Sequence, residues 1–172
     1  MEIWDAYYPD GTKAGFDLVR GEKVPEGICH MVCDILVKHM DGDYLLMQRD
    51  WKKPAYPGGF ETSAGGSALK GEEALPCAKR ELREETGIDR GTFTVIGHAR
   101  REECLYTMFL CETDFPKDKI TLQEGETIAY QWLGKADFRA FVASDGMIAH
   151  LRDRLMNYFI KEGICEKQEA DI

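Results

Sequence analysis

The sequence lacks the features that mark several large protein classes. No apolar run approaches the roughly 20 residues that a membrane-spanning helix needs, and we therefore expect no membrane association. Basic residues are outnumbered, because 22 Lys and Arg face 31 Asp and Glu and give a formal net charge of −9. A protein that coats nucleic acid needs a basic face, so we do not expect nucleic acid as a partner.

Cysteine motifs and a signal peptide are missing as well. The six cysteines form no Cys-x-x-Cys pair. Cys29 and Cys33 fall in one predicted strand, where about 3.3 Å per residue separates them by about 13 Å, too far for a disulfide or a shared zinc ion. We interpret the cysteines as reduced apolar side chains. Residues 1–11 are acidic and aromatic, unlike a signal peptide, and we expect a cytoplasmic protein.

The residues that are present suit one folded domain. The chain has 172 residues, of which 44% are hydrophobic and 31% charged, typical of a globular protein with a proper core. We divide it into an N-terminal β extension (1–27), a central domain (28–161) and a C-terminal tail (162–172). Apolar and β-branched runs between turn residues predict strands at 2–7, 16–19, 29–39, 44–49, 62–64, 93–100, 105–112 and 128–133.

Two helices are predicted from apolar spacing. In the first, Ala74, Cys77, Ala78 and Leu82 recur at helical intervals and Gly87 is a natural C-terminal stop. The second spans 147–161, and its apolar positions leave His150, Arg152 and Arg154 on the predicted solvent face. Strands, a helix, further strands and a late helix indicate an α/β fold with a mixed sheet.

The last turn of the first helix contradicts local helix preferences. Glu81, Glu84 and Glu85 share one face, where like-charge neighbours cost about 0.2–0.5 kcal/mol per pair. Carboxylates at a helix C-terminus also oppose the macrodipole, at about 0.3–1 kcal/mol each. Arg80 pairs with one of them and cannot neutralise three. The alternatives are a solvated acidic face and a divalent cation, and Mg²⁺ prefers such oxygen ligands.

The residues around these glutamates favour the cation. Gly66, five residues, Glu72, seven residues and then Arg80-Glu81-Leu82-x-Glu84-Glu85-x-Gly87-Ile88 match nine specified positions. This pattern resembles the Nudix box, and Pro57-Gly58-Gly59-Phe60 is similar to the segment that often precedes it. The resemblance implies an α/β/α sandwich with a mixed β-sheet, here with an N-terminal β extension.

The resemblance also implies a function. Nudix enzymes cleave a diphosphate bond, typically in a small molecule linked to a nucleoside diphosphate, with Mg²⁺ or alternatively Mn²⁺. It implies metal ligation by Glu81, Glu84, Glu85 and the Gly65 carbonyl. Glu126 resembles the downstream acidic residue of the family and is predicted as a further metal ligand or the general base. Supporting roles fall to Arg80, which would position a glutamate, to Glu72 beside the metal shell, and to Arg49 as a phosphate contact.

Two other functions stay open at this point. The layout is similar to isopentenyl-diphosphate isomerase, but Gly65 stands where that family has its cysteine and Ser67 where it has a histidine, and His30 alone matches its metal histidines. A non-catalytic nucleotide-binding module with this fold is the second alternative, although the glutamate set is complete. The oligomeric state is open, a homodimer included, and the loops at 1–27, 50–64 and 100–126 are expected to select the substrate.

Overall fold

The computed structural model describes residues 1–144 and 146–166. Most of the predicted elements are present, and the last part of the predicted tail, 167–172, lies outside the described residues. Within the described residues the chain forms nine strands, three α-helices and one 3-10 turn: β1 Ile3–Tyr7, β2 Lys13–Val19, β3 His30–His39, β4 Tyr44–Arg49, β5 Phe60–Glu61, β6 Ala64–Ser67, α1 Ala74–Thr86, β7 Thr92–Arg101, β8 Cys104–Thr113, the 3-10 turn Lys117–Lys119, β9 Thr127–Leu133, α2 Lys135–Ala143 and α3 Ala149–Lys161.

The N-terminal β extension is an antiparallel hairpin of β1 and β2, with Ile3 opposite Val19 and Trp4 opposite Leu18. It forms a two-stranded sheet of its own. A small apolar cluster lies beneath it, made of Trp4, Ala6, Leu18, Val24 and Ile28. The hairpin therefore has its own core and reaches the rest of the chain through contacts such as the Lys70 to Asp17 ion pair at 2.6 Å.

The main sheet is mixed, as the sequence predicts. Its strands run in the order β5, β4, β3, β8, β7, with β6 pairing with β3 and β9 pairing with β4. Strands β3 and β8 are parallel over their full length, and the other pairs are antiparallel. Strand β3 pairs with β6 along its first half and meets β4 only at Lys38 and Tyr44. The sheet thus splits beside β6, and this split becomes important below.

The segment predicted as one strand at 62–64 is instead a crossing between two short strands. Strand β5 ends at Glu61 and β6 begins at Ala64. Between them, the Ser63 hydroxyl accepts a hydrogen bond from Val37 N–H and donates one to Leu45 O, both at 2.8 Å. A buried side chain therefore joins β3 to β4 where the backbone ladder is interrupted, a long-range contact that local propensity does not encode.

Helix α1 covers one face of the sheet through the apolar stripe that its sequence predicts. Cys77, Ala78 and Leu82 are buried against Cys33, Ile35 and Val37 of β3, part of one apolar cluster. The helix ends at Gly87, whose φ of 77° lies in the left-handed region and whose N–H bonds Arg83 O. All cysteines of the chain are free, and four of the six are fully buried, as expected for apolar fillers.

Helices α2 and α3 cover the opposite face. Phe138 and Val142 of α2 and Leu155 and Phe159 of α3 pack into a second apolar cluster that includes Leu36 of β3. Helix α2 was not predicted, because its nine residues are too few to establish a helical repeat. Helices on both faces of a mixed sheet make the α/β/α sandwich that was predicted. In the described parts of the chain, none of the helices is long and apolar enough to span a membrane.

One side chain of α3 corrects the prediction for that helix. Arg154 was expected on the solvent face, but its side chain is only 8% exposed. Its Nε donates to Asp34 Oδ2 at 2.7 Å, and its guanidinium carbon lies 4.0 Å from the centroid of the Tyr106 ring. Asp34 belongs to the central strand β3 and is itself 8% exposed in its side chain. A buried ion pair therefore holds α3 to the middle of the sheet.

We expect the substitution Arg154→Met to lower the free energy of unfolding by about 3–5 kcal/mol, because it leaves the buried Asp34 carboxylate without its partner. The double substitution Asp34→Asn with Arg154→Met removes both charges and should recover most of that loss. Urea unfolding monitored by circular dichroism measures both. Arg152→Met on the same helix is the control, since Arg152 is 28% exposed, and a change beyond about 0.5 kcal/mol there would contradict the assignment.

Candidate active site

A cavity of about 490 Å³ opens where the sheet splits beside β6. All four residues of β6, Ala64 to Ser67, line this cavity. The glutamate-bearing turn of α1 forms one wall and α3 another, while the N-terminal hairpin and the segment between β4 and β5 close its ends. The sequence-predicted site residues that line it are Arg49, Gly65, Arg80, Glu81, Glu84, Glu85 and Glu126.

Arg80 is the centre of a hydrogen-bond network on the α1 wall. Its Nη1 donates to Glu81 Oε1 at 2.7 Å and to Glu84 Oε2 at 3.2 Å. Its Nε and Nη2 donate to the two carboxylate oxygens of Glu72 at 3.0 and 2.8 Å, and Nη2 also reaches Ser67 O at 3.1 Å. One guanidinium thus fixes three glutamates and the backbone of β6 relative to one another.

Glu72 stands behind the cavity wall and outside the set of lining residues. It also accepts a hydrogen bond from Leu69 N–H at 2.9 Å. Burial opposes ionisation, but the bonds from Arg80 and the Leu69 N–H outweigh it and lower the pKa of the Glu72 carboxyl. Glu72 is therefore an ionised anchor for Arg80, and its oxygens are already occupied by protein donors.

Two consecutive glycines let the β6 backbone approach the carboxylates. Gly65 N–H donates to Glu85 Oε2 at 3.2 Å. A Cβ on Gly66 would lie 2.3 Å from the Glu81 carboxyl carbon, and one on Gly65 would lie 2.8 Å from Cys33 O. A side chain at Gly65 would collide with backbone, and one at Gly66 would displace the Glu81 carboxylate from its place, which explains the glycine at the start of the motif.

Glu85 lies at the most crowded point of the cavity. Burial raises the pKa of Glu85 well above its ordinary value, and the nearby carboxylates of Glu61 and Glu81 raise it further. Burial also raises the pKa values of Glu81 and Glu61 themselves. Glu126 adds to the repulsion, whereas the hydrogen bond from Gly65 opposes it. Ionised carboxylates in this place need a positive charge among them.

Two cations reach the cavity from the β4 side, each paired with a glutamate. Arg49 Nη1 bonds Glu61 Oε2 at 2.8 Å, and Lys53 Nζ pairs with Glu126 Oε2. The Glu126 carbonyl accepts a hydrogen bond from Asp50 N–H at 2.9 Å, which ties the two loops together. Sequence reasoning missed Glu61 and Lys53, although both flank the Pro-Gly-Gly segment and that position was the available signal.

The third side of the cavity is aromatic and basic. Tyr106, His150 and Arg154 line it, and the His150 ring lies 4.9 Å from that of Tyr56. Burial lowers the pKa of His150, and the positive charge of Arg154 lowers it further, so this imidazole is neutral at pH 7. Sequence reasoning had placed His150 and Arg154 in solvent, because helical spacing alone does not reveal which polar residues face a cavity.

The residues of the cavity fit a divalent cation by their chemistry. Within the residues that the structure describes, no three His, Cys, Asp or Glu side chains converge on one metal position. Glu81 and Glu84 are bonded to Arg80 instead, while Glu85 bonds Gly65. The donor set is nevertheless purely oxygen and crowded with negative charge, which are the ligand properties that hard cations such as Mg²⁺ require.

Known proteins are similar to this chain in sequence and in fold. The NUDIX domain family model matches residues 30–151. An uncharacterized Nudix hydrolase of Listeria monocytogenes is 30% identical over 153 residues, which span 87% of this chain and 90% of the relative. An uncharacterized Nudix hydrolase of Listeria innocua is 35% identical over 88 residues, which span 51% of this chain and 52% of the relative.

Solved structures extend the likeness to the whole fold. The crystal structure of a Deinococcus radiodurans protein has a TM-score of 0.71 at 18% identity, covering 89% of this chain and 98% of that one. The MutT protein of Methanosarcina mazei has a TM-score of 0.61 at 21% identity, covering 78% of this chain and 94% of that one. The family match runs from the first residue of β3 into helix α3 and contains the glutamate-bearing turn of α1. The chain therefore belongs to the Nudix family of hydrolases.

Proposed function

We propose that the protein hydrolyses a diphosphate bond in a small molecule, of the kind in which a nucleoside diphosphate is linked to another group. We further propose that it requires Mg²⁺, with Mn²⁺ as an alternative. The observation that carries this proposal is the crowded carboxylate cluster of Glu61, Glu81, Glu85 and Glu126, whose charges call for a cation. The cavity beside it also contains arginine and lysine, which suit phosphate oxygens.

Glu81, Glu84 and Glu85 would hold the cation, with the Gly65 carbonyl and Glu126 completing the set. When bound, it would neutralise phosphoryl oxygens and acidify a water molecule. Arg80 acts as a positioning residue, because its bonds to Glu81 and Glu84 keep these side chains on the cavity wall. The adjacent oxygen-rich wall is thereby preorganised before substrate arrives.

The remaining residues of the cavity would bind substrate and accept a proton. Arg49 and Lys53 lie next to Glu61 and Glu126 and are our candidates for phosphate contacts. The proton of the attacking water passes to a carboxylate, and our candidates for this task are Glu85 and Glu126, which both line the cavity. We infer that the extension 1–27 shapes substrate choice, since its Trp4 belongs to the lining.

An isomerase function has less support. The isopentenyl-diphosphate isomerase reaction uses a cysteine at the substrate, and no cysteine is found among the described residues that line the cavity. Cys33 and Cys77 lie in the apolar cluster under α1 instead. His30, which matches one metal histidine of that family, is stacked on Trp4 with a centroid distance of 4.2 Å. Its packing role is sufficient to explain its position.

We expect Glu85→Gln to reduce turnover about 100-fold or more, because it removes a charge from the proposed metal and proton-transfer site. Chromatography of the phosphorylated products formed from a panel of nucleoside diphosphate derivatives, with isopentenyl diphosphate included, measures this. Glu112→Gln is the matched control, since Glu112 is exposed on β8 away from the cavity. Equal turnover by wild type and Glu85→Gln, or isomerisation of isopentenyl diphosphate, would contradict the proposal.

Cation binding should depend on pH. Glu85 must lose its proton to bind a cation, and its pKa is raised above the ordinary value of 4.5. The affinity for Mg²⁺ or Mn²⁺ should therefore be full at high pH and should fall as pH drops through that raised pKa, with release of a proton on binding. Calorimetry in two buffers of different ionisation enthalpy detects the proton. A pH-independent affinity, or an unchanged profile in Glu85→Gln, would refute this assignment.

A further inference from the structure

Side-chain donors without partners are concentrated at the cavity. Five buried side-chain polar atoms in the described parts of the chain have no hydrogen-bond partner. Three of them belong to residues that line this cavity: Trp4 Nε1, Thr127 Oγ1 and Arg154 Nη1. All three can donate a hydrogen bond. A buried donor without a partner is unfavourable, so these positions indicate a ligand that brings acceptor atoms.

Arg154 is the charged member of this group and the most firmly oriented. Asp34 holds its Nε at 2.7 Å, and the Tyr106 ring lies 4.0 Å from its guanidinium carbon. Its side chain is 8% exposed, yet its Nη1 has no acceptor within the described chain. The guanidinium is therefore clamped on one edge and by one face, and its enclosed Nη1 meets no acceptor in the described residues.

Asp34 also connects Arg154 to the glutamate-bearing turn of α1. Strand β6 pairs Gly65 with Asp34, and a Cβ on Gly65 would lie 3.3 Å from Asp34 Oδ1. The same Gly65 donates its N–H to Glu85. One residue of β6 thus separates the Arg154 pair from the proposed metal glutamates.

Arg154 differs from the other cations of the cavity in its pairing partner. Arg49 and Lys53 are each paired with a glutamate of the acidic cluster, Glu61 and Glu126. A substrate phosphate must compete with those glutamates for their positive charges. Arg154 is instead paired with Asp34 through its Nε and, among the described residues, forms no ion pair with a glutamate of that cluster. It offers a charge-assisted hydrogen bond, the strong kind that guanidinium groups form with phosphate.

We propose that Arg154 is a substrate-binding residue whose guanidinium donates to a phosphoryl oxygen of the substrate, with Tyr106 packing against the guanidinium and Asp34 fixing its direction. This proposal rests on the function proposed above and adds the residue that holds the substrate from the α3 side. Helix α3 thereby contributes directly to binding, in addition to covering the sheet.

The test measures binding without turnover. Methylenediphosphonate and α,β-methylene-ADP, which resist hydrolysis, are titrated calorimetrically into wild type and variants, with and without Mg²⁺. We expect Arg154→Lys, and the double substitution Asp34→Asn with Arg154→Gln, to weaken binding of at least α,β-methylene-ADP about 10- to 100-fold in both conditions. The double variant removes both buried charges and so guards against a loss of folding, which circular dichroism checks.

Arg152→Lys and Arg152→Gln are the matched controls, because Arg152 lies two residues away on the same helix and outside the cavity lining. They should bind both probes within about twofold of wild type. Equal binding by folded Arg154 variants, or a wild type that binds neither probe, would overturn the proposal. Turnover separates it from the proposed function: loss of turnover in Glu85→Gln with unchanged probe binding in the Arg154 variants refutes Arg154 alone, and weakened probe binding without hydrolysis refutes the hydrolase alone.

Discussion

Mutual repulsion among carboxylates is the constraint on which the active region depends. Burial raises the pKa of Glu85, and the surrounding carboxylates of Glu61, Glu81 and Glu126 raise it further. Arg80 relieves part of this strain by bonding Glu72, Glu81 and Glu84 at once. The rest of the relief must come from protons or from a bound cation. The same crowding supports the cation that we propose for this cavity.

The fold supplies the positions that make this crowding possible. Strand β3 pairs first with β6 and then with β4, and the resulting split in the sheet creates the cavity. The glycines of β6 allow its backbone to approach Glu81 and Glu85 at distances that a side chain would forbid. On the other side, the Asp34 to Arg154 pair fixes α3 against β3. The glutamate side and the Arg154 side of the cavity are therefore held by the same central strand, β3.

The sequence allowed the glutamate-bearing turn of α1 to be predicted, because all the residues of that turn belong to one motif with local spacing. The predicted α1 stripe, its Gly87 stop and the strands of the mixed sheet are present for the same reason. Arg154 escaped prediction, since its partner Asp34 is 120 positions away and helical periodicity cannot distinguish solvent from a polar cavity. Helix α2 escaped because nine residues are too few to establish a helical repeat. The roles of the predicted site residues remain predictions, since contacts alone do not assign them.

The N-terminal hairpin has a consequence for how such an enzyme can diversify. It packs on its own apolar cluster, separate from the two clusters that hold the sandwich together. Glu2, Trp4 and Arg20 of this hairpin nevertheless form part of the cavity wall. Changes in that segment alter the mouth of the cavity without disturbing the packing beneath the α1 glutamates. With the roles proposed above, selectivity and chemistry would be carried by separately packed parts of one chain, so that evolution or engineering could vary the first while preserving the second.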